Sequence, residues 1–262
     1  MPSDIRRGLF TTLLLIAFVI LTAPASWAGD GLSGRYAMDG HHAGGAQYDG
    51  ELDDGELAIQ GRGHAFDVNW QRGGGTAENG FGLLLNHVLG VAYWPGNEAL
   101  DNGLGVVIYR IDGGTLDGIW LPQGVYGRAP GREVLSGAPD LTGRYQITLG
   151  LNPWGGHYAG YVDLERTGDR VKVSWHLTSE VFVGSGIKIG NVLAVAYGYA
   201  HAPAIAAYCS NGRQLEGEWW TGPTGLSGVE TLKPVAGAGA EISNLPRPNA
   251  DDPCHSPIAA NW

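Results

Sequence analysis

Helical periodicity is what this chain most plainly lacks. Beyond the first two dozen residues no stretch repeats apolar side chains at a 3.6-residue spacing, which excludes a helical bundle and leaves little room for helix at all. Positive charge is also scarce. The 16 Lys and Arg stand against 26 Asp and Glu, a formal charge of −10, so nucleic acid and anionic lipid surfaces, which need clustered cations, are excluded as partners. Cysteine occurs only twice, as Cys209 and Cys254, so at most one internal bridge is available. No Gly-x-Ser-x-Gly elbow is present, and "VGSGI" around Ser185 lacks both the first glycine and a following helix.

Long apolar runs are missing too, with one exception at the start. Arg6 and Arg7 precede an apolar run from Leu9 to Leu21, followed by Pro24 and "ASWA". That is the pattern of an export signal, with cleavage after Ala28. About 13 apolar residues fall short of the roughly 20 needed to span a bilayer. Residues 1–28 are therefore expected to be removed, and the remainder to be periplasmic or secreted, without a membrane span. The signal holds Asp4 against Arg6 and Arg7, so the mature part carries about −11. Outside the cytoplasm a Cys209–Cys254 disulfide is expected, pinning the C-terminal tail to the body of the protein.

Glycine is what the chain has in abundance, 44 of 262 residues, together with 9 Trp and 11 Tyr. Many short strands joined by tight turns have this composition. The strands come in two sets. "GLSGRYA" at Gly31–Ala37 returns as "DLTGRYQ" at Asp140–Gln146, and "GFGLLLNHVLGVAY" at Gly80–Tyr93 lies over "GSGIKIGNVLAVAY" at Gly184–Tyr197 without a gap. Tyr48, Gly50 and Asp53 are matched to Tyr158, Gly160 and Asp163. Trp70, Tyr109, Leu116, Gly118, Trp120, Glu133 and Leu135 are matched to Trp175, Tyr208, Leu215, Gly217, Trp219, Glu230 and Leu232. Small insertions around Gly55–Gly63 and Pro95–Gly103 account for the drift in spacing. The chain thus duplicates a unit of roughly 100 residues, ordinary domain size.

Within a unit the side chains alternate as strands require. Gly143, Tyr145 and Ile147 share one face and Arg144 and Gln146 the other; "LEGEW" turns Leu215, Gly217 and Trp219 together and Glu216 and Glu218 away. "NVLAVAY" is apolar in both alternating sets, so this strand should be buried on both sides. About eight short antiparallel strands per unit, joined by hairpin turns such as "SNGRQ" and "RIDGGT", predict an all-β protein of two tandem up-and-down β-barrels. A β-sandwich is the alternative. The expected division is signal 1–28, barrel 29–137, barrel 138–234 and a flexible tail 235–262.

Candidate binding residues are those that recur: Arg35, Tyr36, Trp70 and Trp120, with Arg144, Tyr145, Trp175 and Trp219 in the second unit. The aromatics either pack the core or line a pocket, and Arg35 and Arg144 either anchor an anionic group or pair with Asp53 and Asp163. An enzymatic alternative takes Asp117 with Glu133, and Glu216 with Glu230, as paired carboxylates for hydrolysis of envelope polysaccharide. Alternation, however, turns Asp117 and Glu216 away from the buried Trp of the same strands. Metal binding is not expected: His41 and His42, or Asp251, Asp252 and His255, lack ligand spacing. No cofactor motif is present.

The order G-R-Y, Y-x-G, W, G-x-G, V-L-x-V-A-Y, L-[DE]-G-x-W and E-x-L, from Leu32 to Leu232, resembles a family of small secreted bacterial β-repeat proteins. Its members are mostly uncharacterised and sometimes loosely labelled fibronectin-binding. The second unit, where Asn152-Pro153-x-Gly155 precedes Tyr158, carries the resemblance more clearly than "DGHHAGG" in the first. The opening Gly-x-aromatic strand also looks like that of avidin and lipocalin barrels. These resemblances imply a non-enzymatic binding protein whose partner is a small ligand or an extracellular or envelope protein, with matrix adhesion as one form.

Overall fold

A computed structural model describes residues 30–44, 54–95, 103–222 and 225–242. The expected signal peptide, Asp53, Cys254, and Asp251, Asp252 and His255 lie outside these residues. A single 3-10 turn at Asp30–Leu32 precedes sixteen strands. The first eight are β1 (Gly34–Gly44), β2 (Gly55–Arg62), β3 (Ala65–Arg72), β4 (Ala77–Leu85), β5 (Val88–Tyr93), β6 (Gly105–Asp112), β7 (Thr115–Pro122) and β8 (Gly131–Ser136). The second eight are β9 (Gly143–Leu151), β10 (Gly160–Thr167), β11 (Arg170–Leu177), β12 (Val181–Ile189), β13 (Val192–Gly198), β14 (Ala204–Ser210), β15 (Leu215–Trp220) and β16 (Ser227–Pro234). All eight strands expected in the second unit are present.

The strands close into two antiparallel eight-stranded barrels rather than sandwiches. The division between barrels differs from the division between repeats. One barrel, here the central barrel, is β6 to β13; the other, the terminal barrel, joins β1–β5 to β14–β16. The expected domains 29–137 and 138–234 therefore do not each close on themselves, because the last three strands of each unit are exchanged. After β5 the chain passes into the other barrel instead of turning back. Its place beside β5 is taken by β14, with Tyr93 opposite Ala204 and Val88 opposite Cys209, while β13 pairs with β6, Tyr197 opposite Gly105. Exchange between identical elements preserves every strand-to-strand pairing of the unexchanged unit, so its cost is confined to the connections.

The exchange brings the two barrels together along β5, β13 and β14, where every residue is buried. In β13, Leu193, Val195 and Tyr197 belong to the interior of the central barrel. Val192, Ala194 and Ala196 instead join Phe81, Ile108 and Ala207 in a core between the barrels. This second core is why the strand is apolar on both faces. Small side chains let the walls approach: a Cβ on Gly90 would lie 2.8 Å from the Ala194 Cβ. At the edge of this contact Tyr126 donates to Asp67 Oδ1 at 2.6 Å, and Arg62 pairs with the same carboxylate at 2.6 Å. Burial and the Asp67 charge push the Tyr126 hydroxyl up to about 12.

Each barrel is closed at one end by a tyrosine from the first strand of a repeat unit, β1 or β9. Tyr36 donates to the Leu32 carbonyl at 2.7 Å, and Tyr145 donates to that of Ala138. In the terminal barrel the segment after β16 completes the closure. Val235 N donates to Arg35 O at 2.9 Å, Glu241 N to Gly31 O at 2.9 Å, and Ile242 is buried. The expectation of a flexible tail from residue 235 is thus corrected for Val235–Ile242, whose Ala240 packs directly on Gly34: a Cβ there would collide with Ala240 N.

The repeat alignment also shifts at one place. Gly55 pairs with Arg72 as Gly160 pairs with Leu177, and a Cβ on either would meet a carbonyl of the next strand at 2.2 Å. Gly160 therefore corresponds to Gly55, not Gly50, and Asp163 to Ala58, not Asp53. Residues 55–62 form a strand, so the length difference lies before them.

Candidate functional site

In β8 the alternation places Glu133 and Leu135 inward and Arg132 outward. A carboxylate inside a barrel demands partners, since stripping it of water is costly unless hydrogen bonds replace the solvent. Three are supplied, two from other strands and one from the connection between β9 and β10. Tyr109 on β6 donates to Glu133 Oε1, Trp175 Nε1 on β11 donates to the same oxygen at 3.0 Å, and Tyr158 donates to Oε2 at 3.1 Å. Glu133 is only 2% exposed. Burial raises its pKa above the usual glutamate value, and the three hydrogen bonds pull it back in part. Burial, and then the Glu133 charge, hold the Tyr109 and Tyr158 hydroxyls firmly protonated.

Glycine makes this arrangement possible. Gly118 lies opposite Tyr109 across β6 and β7, where a Cβ would stand 2.4 Å from the ring, and Gly131 lies opposite Trp120, where a Cβ would stand 2.6 Å from Nε1. The rings lie over the missing side chains of the adjacent strand. The terminal barrel repeats the device with Gly217 under Tyr208 and Gly228 under Trp219.

Around Glu133 opens a cavity of about 320 Å³, lined by Val107, Trp120, Tyr158, Trp175, Leu177, Phe182 and Tyr197, with Trp154, Glu180 and Tyr199 toward solvent. Trp154 and Tyr199 are 55% and 49% exposed. The loop carrying Trp154 is held by Asn152, whose Oδ1 accepts from Trp154 N at 3.0 Å and Gly156 N at 2.9 Å. Arg128 lies over the outer Trp154 ring at 5.8 Å. Trp120 meets Tyr158 and Tyr197 edge to face, and Phe182 meets Tyr197 likewise. The Tyr197 hydroxyl is buried and has no hydrogen-bond partner among the described residues.

The terminal barrel holds the equivalent carboxylate, Glu230, 3% exposed. Tyr208 donates to it as Tyr109 does to Glu133, and Trp70 Nε1 donates to Tyr208 Oη at 3.2 Å. Here, however, Arg72 reaches inward. Its Nη1 donates to Glu230 Oε1 at 3.3 Å and its Nε to Glu78 Oε2 at 3.0 Å, with the guanidinium 6.0 Å from the Trp219 ring. In the repeat Arg72 corresponds to Leu177 and Glu78 to Phe182: Glu78 stands opposite Trp70 as Phe182 stands opposite Trp175.

The residues expected to bind divide sharply. Trp120 and Trp175 line the cavity. Tyr36, Tyr145, Trp70 and Trp219 are buried packing residues. Arg35 and Arg144 lie on the outside, Arg35 against Glu56 at 3.8 Å and Arg144 against Asp163 at 2.9 Å and 3.7 Å from the Tyr161 ring. They anchor nothing in the interior, because odd and even positions of a barrel strand face opposite sides of the wall. Of the two pairings weighed for them, Arg144–Asp163 forms, while Arg35 uses Glu56. The carboxylate pairs considered for hydrolysis are separated by the same rule. Asp117 is held outside by Arg132 at 3.0 Å, and Glu216 accepts from Asn211 and Gln214 on the surface, whereas Glu133 and Glu230 face inward. Cys209 is buried on β14 in the core between barrels. Among the described residues no group of three or more His, Cys, Asp and Glu is placed to hold a metal.

Missed from sequence were the central place of Glu133 and the role of Phe182, whereas Tyr158 and Tyr197 are among the aromatics that recur between the units and line the cavity. A signal existed for the first: Glu133 shares alternation with the buried Leu135. The site thus belongs to a double barrel in which one interior is open and aromatic and the other is occupied by its own arginine. No family model and no curated protein matches the chain. Among solved structures it is similar to a Nostoc punctiforme protein of unknown function from the DUF3598 family, at 13% identity over 79% of this chain and 98% of that one, with a TM-score of 0.18. So loose a match carries nothing over.

Proposed function

We propose that the protein is an exported, non-enzymatic binding protein whose central barrel takes up a small ligand. The observation that carries this reading is the aromatic cavity leading to Glu133 and the unpartnered Tyr197 hydroxyl. Apolar walls with a few convergent polar groups are the usual makeup of a small-molecule site. The same cavity favours a small ligand over adhesion to a matrix protein, since its polar groups lie at the floor. Hydrolysis is disfavoured by the outward placement of Asp117 and Glu216. Export rests on the N-terminal segment, and the Cys209–Cys254 bridge on that compartment.

The test is a panel of small aromatic and heteroaromatic compounds against the mature chain, followed by tryptophan fluorescence and thermal unfolding. A ligand present at a hundred times its Kd stabilises the folded state by about 2.7 kcal/mol. Phe182→Arg, which places a long side chain in the cavity, abolishes the response if the reading holds. A response unchanged in that variant, or no response to any compound, overturns it.

A further inference from the structure

The terminal barrel displays what an interior of this design accommodates. Its buried Glu230 is met by a guanidinium, that of Arg72, which also lies near the face of Trp219 and is held by a second carboxylate, Glu78. The central barrel preserves the receiving half of this arrangement. Glu133 occupies the place of Glu230, Tyr109 that of Tyr208, Trp120 that of Trp219 and Trp175 that of Trp70. The filling half is gone: Leu177 and Phe182 replace Arg72 and Glu78, and their shorter or apolar side chains border the cavity. Among the described residues no Lys, Arg or His pairs with Glu133, although it is as buried as Glu230.

We infer that the ligand of the central barrel carries a cationic head, a guanidinium or alkylammonium group, which takes the position Arg72 holds in the sister barrel. This rests on the binding function proposed above and names its ligand class. Three features fit the inference. A carboxylate buried without a countercharge is electrostatically incomplete, and an entering cation restores the pairing that removal of Arg72 took away. The walls are indole and phenol faces, whose quadrupoles attract a desolvated cation. Among the described residues Glu133 Oε2 accepts only from Tyr158 and Tyr197 Oη has no partner, so acceptor capacity remains for an N–H donor. A second carboxylate, Glu180, stands on the approach. The rim cation Arg128 stacks on Trp154 and is not among the side chains lining the cavity.

Four probes of one shape separate the possibilities: benzylguanidinium, benzylammonium, neutral benzylurea and anionic phenylacetate, titrated into the mature chain by calorimetry. The cations are expected to bind about tenfold or more tightly than benzylurea, with phenylacetate weakest, as a charge-assisted hydrogen bond and cation–π contact dictate. Glu133→Gln should erase the preference for the cations while leaving the weak binding of benzylurea. The paired substitution Leu177→Arg with Phe182→Glu, which installs the sister barrel's own filling, should abolish binding of all four while far-ultraviolet circular dichroism stays that of the parent. Benzylurea binding as well as benzylguanidinium, or a cation preference that survives Glu133→Gln, overturns the inference and leaves the cavity's binding role standing. Failure of all four probes to bind overturns both.

Discussion

The two barrels contain the same buried glutamate and treat it differently. In the terminal barrel Glu230 is neutralised from within by Arg72, so the interior is a closed salt-bridged core; in the central barrel the described residues hold Glu133 by neutral donors alone, beside open space. Duplication explains how such a difference is tolerated. One barrel keeps a self-satisfied interior, and the exchanged strands tie it to the other, whose interior is left open. The buried ion pair is a stability device only as long as both partners remain, because either charge left alone in the interior is costly.

The largest effect should come from breaking this asymmetry on the closed side. Arg72→Leu strands Glu230 and Glu78 in the interior and is expected to cost about 3–5 kcal/mol, read from urea unfolding. Glu133→Gln in the other barrel leaves no cation behind and should cost about 0.5–1.5 kcal/mol. Similar losses from the two variants would erase the distinction between the two interiors. Next come the glycines that both barrels share. Gly118→Ala and Gly217→Ala each drive a methyl into a tyrosine ring 2.4 Å away and should destabilise by about 1–3 kcal/mol in unfolding experiments. Equal costs would show that this device, unlike the arginine, is common to both.

A smaller effect sharpens the comparison through pH. Burial raises the Glu133 pKa in the folded protein above its unfolded value, so the folded state binds the additional proton. Its contribution to stability is full below the ordinary glutamate range and is lost as pH rises through the elevated folded value. The stability difference between parent and Glu133→Gln, followed by urea midpoint, should therefore fall with rising pH across that window; a rising difference would mean that Glu133 is stabilised as the anion. Smallest of all, Arg35→Ala and Arg144→Ala should leave binding of any cavity ligand unchanged, since both side chains lie on the outer wall. A loss of binding in calorimetry would place them in the site after all.

Much of the strand pattern was legible because a strand's alternation is local. Tyr145, Leu215 and Trp219 declare their buried face by their neighbours, and "NVLAVAY" declares burial on two faces. The same alternation correctly turned Asp117 and Glu216 outward. It also set Arg144 on the face opposite the buried Tyr145, where it pairs with Asp163, so of the two roles open to Arg35 and Arg144 the interior anchor fails. The alignment near Gly50 failed for another reason: a Y-x-G-x-x-D match is short, and only the pairing of Gly55 with Arg72 fixes the register.

By itself the sequence determined a duplicated antiparallel β-unit of eight strands, rich in glycine and aromatic residues, because those features depend on neighbours along the chain. Which copy of β6–β8 completes which barrel was decided only in three dimensions, for both copies present the same edge to β5 and to β13 and local pattern cannot choose between them. The fate of the two glutamates was decided there too. Whether a buried carboxylate meets an arginine or a cavity depends on a residue some 158 positions away across the barrel, as Arg72 is from Glu230, and no reading along the chain brings such a pair together.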